Sequence, residues 1–209
     1  MRSTKFYFWL VLTVVYCLTI PGTGLAQQWS TALSYQISMP SGDTKEFTDK
    51  TSFRGVGLDF RKKIASTTTV GLFFGWNVFY ERTTETIELE TNFPGALTGT
   101  QDRYLNSFPI MLTLQHAFGK SRSLRPYVGL NLGGFYMVQK LGIGLSQFQN
   151  DQWQWGGAPE LGVIIPVEID TDIIINVKYN YAFTGESAVG ADVNYSYWMI
   201  GIGCAWSGY

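Results

Sequence analysis

Charge is scarce in this chain. Only 15% of its 209 residues are Asp, Glu, Lys or Arg, against about 25% in a typical soluble domain, so a broad solvated surface is hard to build from it. Histidine is almost missing: His116 is the single imidazole in the sequence. That leaves no His/Cys spacing for a metal site and one possible base for an activated nucleophile. The basic residues number 15 against 16 acidic ones, and they form no patch or stripe, which argues against a nucleic-acid partner. After the first 26 residues no apolar run reaches the roughly 20 residues of a membrane-spanning helix.

The first 26 residues read as a targeting segment. Arg2 and Lys5 precede an apolar run from Phe6 to Ile20, then Pro21-Gly22, then Gly24-Leu25-Ala26. This is the basic, apolar and small-residue order of a secretory signal, with cleavage expected after Ala26. The division is therefore a signal peptide over residues 1–26 and a single domain over residues 27–209. Lipidation at Cys17 is a poor alternative, because Val14-Val15-Tyr16 is bulky where a small residue belongs. Cys17 leaves with the signal, so Cys204 stands alone and no intramolecular disulfide forms.

What remains is rich in aromatics, at 16%, and it alternates. Residues 29–39 set Trp29, Leu33, Tyr35 and Ile37 on one face and Ser30, Ala32, Ser34, Gln36 and Ser38 on the other. The same period of two runs through 52–62, 69–83, 104–117, 125–138, 155–167, 173–184 and 195–207. Successive strand side chains point to opposite faces, so each segment has one apolar face. In a soluble β-sandwich the other face carries Lys, Glu and Arg. Here it carries Gly, Ser, Asn and Thr, as a narrow lumen requires. Apolar strands without a spanning helix fit a membrane only as a closed barrel, where every backbone amide finds a partner.

The connections support the same reading. Residues 40–51, 84–103, 140–154 and 185–194 are long, and 63–68, 118–124 and 168–172 are short. Outer-membrane barrels have long extracellular loops, short periplasmic turns and both termini in the periplasm. The expected fold is all-β: a closed eight-stranded antiparallel up-and-down transmembrane β-barrel. Tyr80, Tyr104, Tyr136, Trp155, Tyr181, Phe183 and Tyr197 are expected in a girdle at the loop end, with Trp29 and Trp206 at the other rim.

Lumen parity falls on few charges: Asp59, Arg61, Glu81, Glu160 and Lys178. A turn centred on Ile169 sets Glu160 opposite Lys178, and a buried charge is tolerable when paired and hydrogen-bonded. These five are the candidate lumen ion-pair residues. A turn centred near Ala65 sets Phe73 across from Gly57. Phe73, Phe79, Met111, Tyr127 and Phe135 also face inward and are expected to plug the lumen.

The run Ser107-Phe108-Pro109-Ile110-Met111-Leu112-Thr113-Leu114, followed after the turn by Arg125-Pro126-Tyr127-Val128-Gly129-Leu130-Asn131-Leu132-Gly133-Gly134, resembles the small eight-stranded outer-membrane barrels of the OmpX/OmpW-like kind. These include the outer membrane β-barrel or porin-family proteins of Bacteroidetes. The Gly201-x-Gly203 character of the last strand agrees. The resemblance implies residence in a Gram-negative outer membrane among outer-membrane lipid and lipopolysaccharide, and insertion by the barrel-assembly machinery. It also implies a closing strand that ends on an aromatic, for which Tyr209 and Trp206 are the two candidates.

Some barrels of this appearance modify lipid A. Their chemistry needs an activated serine with a histidine base, and His116 falls on the outward face near the short-turn rim. No catalytic residue, cofactor or metal site is expected. The function expected is non-enzymatic: envelope structure, or surface interaction through the extracellular loops with a partner the sequence does not identify. The alternative is OmpW-like passage of small apolar solutes. Long segments on a rigid scaffold commonly carry recognition, and residues 84–102 and 43–49 are acidic.

Overall fold

The computed structural model describes residues 29–89, 95–119, 123–143, 146–186 and 192–208, with side chains not described at 85–99, 143–148, 184–193 and 208. The segment expected as signal peptide, residues 1–26, and the C-terminal Tyr209 lie outside the described residues.

Eight strands follow one another: β1 (Trp29–Ser41), β2 (Ser52–Lys63), β3 (Thr68–Leu89), β4 (Gly95–Ala117), β5 (Arg125–Ile143), β6 (Ser146–Pro166), β7 (Thr171–Glu186) and β8 (Asp192–Gly208). One short helix, α1 (Asp43–Phe47), interrupts the path from β1 to β2. Each strand pairs antiparallel with its sequence neighbours, and β8 pairs back with β1, closing the barrel. Starting at Thr31, successive cross-strand partners are Phe60, Leu72, Leu112, Leu132, Gly157, Tyr181 and Ser196, and Ser196 returns to β1 at Ser41. That stagger of ten residues is what tilts the strands and sets how much room the interior has.

The two faces are inverted relative to a soluble protein. Leu33, Trp76, Leu112, Leu132, Leu161 and Ile202 are exposed on the outside, while Gln36, Asn77, Asn131, Glu160, Asn176 and Lys178 are buried inside. An apolar exterior around a hydrogen-bonded backbone with no open edge is the arrangement a bilayer admits. Prolines mark two gaps in the ladder. The β3–β4 register lacks partners between Phe74–Ile110 and Asn77–Ser107, at Pro109, and the β6–β7 register lacks them between Gly157–Tyr181 and Glu160–Lys178, at Pro159. Proline has no N–H to give the ladder.

Three expectations from the sequence need correction. Residues 84–103 and 140–154 are not loops for most of their length. β3 and β4 continue as a paired hairpin to Leu89 and Gly95, and β5 and β6 continue to Ile143 and Ser146. β-Branched residues such as Thr83, Thr84, Thr86 and Ile87 suit a strand as well outside a membrane as within it. Second, Gly57 pairs with Gly75, and Phe73 lies opposite Asp59. The β2–β3 register is two residues away from the expected one because the turn closes between Ile64 and Thr68, with Ile64 N–H donating to the Thr68 carbonyl at 3.0 Å. Phe73 still reaches Gly57 diagonally: a Cβ there would meet Phe73 Cε2 at 2.9 Å and Ser34 Oγ at 2.7 Å. Third, Tyr197 is not a girdle residue. Its odd number on β8 points it inward, where it is buried.

Candidate functional site

The interior is layered. Toward the end carrying Trp29, Gly208 and the short turns, Ala32, Tyr127, Ile164, Ile174 and Ala205 form a small apolar cluster. Toward the end carrying the long hairpins, Phe73, Phe79, Leu105, Met111, Phe135, Met137, Tyr195, Tyr197 and Met199 form a larger one. Charged residues occupy the space between, each placed there by strand parity.

Glu160 of β6 is the hub. Lys178 of β7 lies directly opposite, with Nζ 3.4 Å from Oε2. Arg61 of β2 reaches across the lumen to place Nη2 3.8 Å from Oε1. Tyr127 Oη donates to Oε1 at 2.6 Å, Asn176 Nδ2 to Oε1 at 2.7 Å, and Asn131 Nδ2 to Oε2 at 3.0 Å. Arg61 also donates from Nε and Nη2 to Asp59 Oδ1, at 3.2 and 2.9 Å, and from Nη1 to Gln115 Oε1. Lys178 Nζ sits 3.5 Å from the Phe73 ring centroid, a cation over an aromatic face. Thr113 Oγ1 donates to Asn131 Oδ1 at 2.6 Å. Two cations and two carboxylates thus balance within one network, which is the condition for burying them.

Four of the five candidate charges meet there. Glu81 does not. It lies opposite Arg103 on the inward face near the hairpin end, and its Oε2 accepts the Asp49 N–H at 2.8 Å. Arg103 donates from Nη1 to the Phe47 carbonyl at 3.2 Å, with its guanidinium 5.9 Å from the Phe47 ring centroid.

These two residues hold a feature the sequence did not reveal: the connection from β1 to β2 folds inward over the barrel mouth. Thr44 and Thr48 are both 0% exposed, and Phe47 packs on the larger apolar cluster. On the opposite side β8 secures it, with Ser196 N–H donating to Thr44 Oγ1 at 2.8 Å and Asn194 N–H to Asp43 Oδ2 at 3.0 Å. Acidic residues at 43–49 look like a solvated loop in the sequence. The signal for the cap was Phe47 among them.

At the other end a well of about 280 Å³ opens between the short turns. Arg61 and Gln115 line its inner end, and Lys63, Arg125, Glu168, Asp170 and Asp172 line it nearer the mouth. Arg125 Nη2 donates to Asp172 Oδ2 at 3.0 Å.

On the outside, ring-to-ring contacts run Trp76–Phe108–Tyr136–Trp153 around β3 to β6, with centroids 6.0, 6.1 and 6.4 Å apart. Tyr80–Tyr104 and Tyr179–Trp198 add pairs at 4.4 and 4.8 Å. Amphipathic rings favour a membrane–water boundary. Trp29 lies at the opposite rim, with Lys62 Nζ 5.4 Å from its centroid. His116 is exposed on the outer face, its Nδ1 3.0 Å from Thr68 Oγ1. Cys204 is likewise exposed. Among the described residues no three His, Cys, Asp or Glu side chains converge as metal ligands.

A closed eight-stranded barrel with an apolar exterior, an aromatic belt and buried charges is a transmembrane β-barrel. Thirty-six solved chains match it in structure. The outer membrane protein OprG of Pseudomonas aeruginosa is 17% identical, with a TM-score of 0.54 over 88% of this chain and 97% of OprG. Neisserial surface protein A is 14% identical, with a TM-score of 0.53 over 86% of this chain and 96% of that one. The chain therefore has the fold of the small eight-stranded outer-membrane barrels. No protein-family model matches it, and no curated protein matches it in sequence.

Proposed function

We propose that the mature chain is a non-enzymatic outer-membrane barrel with a plugged lumen, serving envelope structure or surface interaction through its long hairpins. The observation carrying this reading is the balanced network around Glu160, which draws side chains from β2, β4, β5, β6 and β7 across the interior. A passing ion would have to break several charge-assisted hydrogen bonds among buried groups, each far stronger there than in water. The inward-folded cap and the buried rings of Phe79, Phe135 and Tyr197 add a second obstruction. The long hairpins carry the paired backbone beyond the aromatic belt, where a rigid scaffold presents recognition segments.

Single-channel recording on the refolded mature protein in planar bilayers tests the plug. The expected trace is flat, with no unitary conductance steps above those of protein-free membranes. Reproducible steps would defeat the reading. The OmpW-like alternative draws on the apolar character of the cluster beneath the cap. It predicts faster entry of small apolar solutes into vesicles containing the barrel, with the electrical trace still flat.

A further inference from the structure

The well at the short-turn end has opposite charge on opposite walls. Arg61 and Lys63 of β2 and Arg125 of β5 lie on one arc. Glu168 and Asp170 of the β6–β7 turn and Asp172 of β7 lie on the other. Among the described residues the arcs are tied where Arg125 meets Asp172. Two further features leave binding capacity over. Arg125 keeps part of its side chain open to the well, 22% exposed beside its bond to Asp172. Lys63 projects at an exposed position across the mouth from exposed Glu168 and Asp170. Arg61 is fully engaged with Asp59 and Gln115, so it forms the floor and not the free donor.

From this geometry we infer that the well is a binding site for a small zwitterion, a molecule of amino-acid size. Its carboxylate would face Lys63 and the exposed part of Arg125, and its ammonium would face Glu168 and Asp170. A simple anion gains the basic arc but is repelled by the acidic one, and a simple cation the reverse. A molecule carrying both charges is favoured at both ends. The volume agrees: about 280 Å³ lies just below the roughly 300–1,000 Å³ of sites for drug-sized ligands. The inference is independent of the proposed function, because a plug at Glu160 leaves the well open at its own end.

The test is an amide NMR titration of the mature protein in non-ionic maltoside micelles, with alanine as the probe. Acetate alone and methylammonium alone serve as controls at the same concentration. Alanine is expected to give saturable shifts at Ser30, Thr69 and Asp172, and each control ion much smaller ones. Lys63→Met and Glu168→Gln, both at exposed positions outside the buried network, should each weaken binding about two- to fivefold, as exposed ion pairs do. Absence of saturable shifts overturns the proposal. So does acetate acting as strongly as alanine, which would make this an anion site. The wild-type comparison decides the matter even if a variant fails to refold.

Discussion

Glu160 accepts three side-chain hydrogen bonds while facing two cations, so its replacement strands more partners than the loss of any one of them. Glu160→Gln leaves Arg61 with Asp59 but takes from Lys178 the carboxylate it pairs with among the described residues. Breaking a buried pair from one side costs about 3–5 kcal/mol. Lys178→Met removes one cation but leaves Glu160 with Arg61, Tyr127, Asn131 and Asn176, so the loss should be smaller. The double variant is expected to be less destabilised than the sum of the single ones. Urea unfolding in detergent or bilayers measures the cycle. Strict additivity would mean that the two side chains do not sense each other. The inward parity of both residues is readable from the alternation on either side of the Ile169 turn. The reach of Arg61 across the lumen, and the arrival of Tyr127 and Asn131, depend on barrel radius and stagger, which no local pattern encodes.

Strand existence was legible because a period of two persists wherever one face meets lipid and the other a lumen. Strand length was not. Alternation in residues such as Thr84 to Leu89 reads as a polar loop once the apolar residues thin out, yet backbone pairing with Gly95 to Thr100 carries the hairpin on. The β2–β3 register slipped from expectation for a related reason: a four-residue turn over Ile64–Thr67 has no Gly or Pro to fix its centre. The cap was hidden because a five-residue helix has no periodicity to detect. It is held by side chains instead. Thr44→Val keeps the shape but removes the acceptor for the Ser196 N–H, leaving a buried donor that costs about 1–3 kcal/mol. The expected result is amide exchange at Ser196 faster by about tenfold or more, with the Ile64 amide at the far turn unchanged. Unaltered exchange at Ser196 would show that the cap is not anchored there.

At the scale of the whole molecule, the asymmetry of the two ends makes orientation testable. Paired hairpins extend past the aromatic belt on one side, whereas the other side has the short turns at Ile64–Thr67 and Val167–Asp170 and both ends of the described chain. A barrel inserted with its termini in the periplasm exposes the cap and hairpins to the exterior. In a Cys204→Ser background, which removes the lipid-facing thiol, Lys45→Cys places a thiol at an exposed position on the cap, and Ser66→Cys places one at an exposed position in a short turn. A membrane-impermeant maleimide added to intact cells is expected to label Lys45→Cys and to spare Ser66→Cys until the outer membrane is permeabilised. The labelled protein should fractionate with outer membranes, begin at Gln27, and migrate differently in detergent gels before and after boiling, because a closed barrel resists unfolding. Labelling of Ser66→Cys alone on intact cells would invert the barrel. That result would move any surface-interaction role from the long hairpins to the end that carries the charged well.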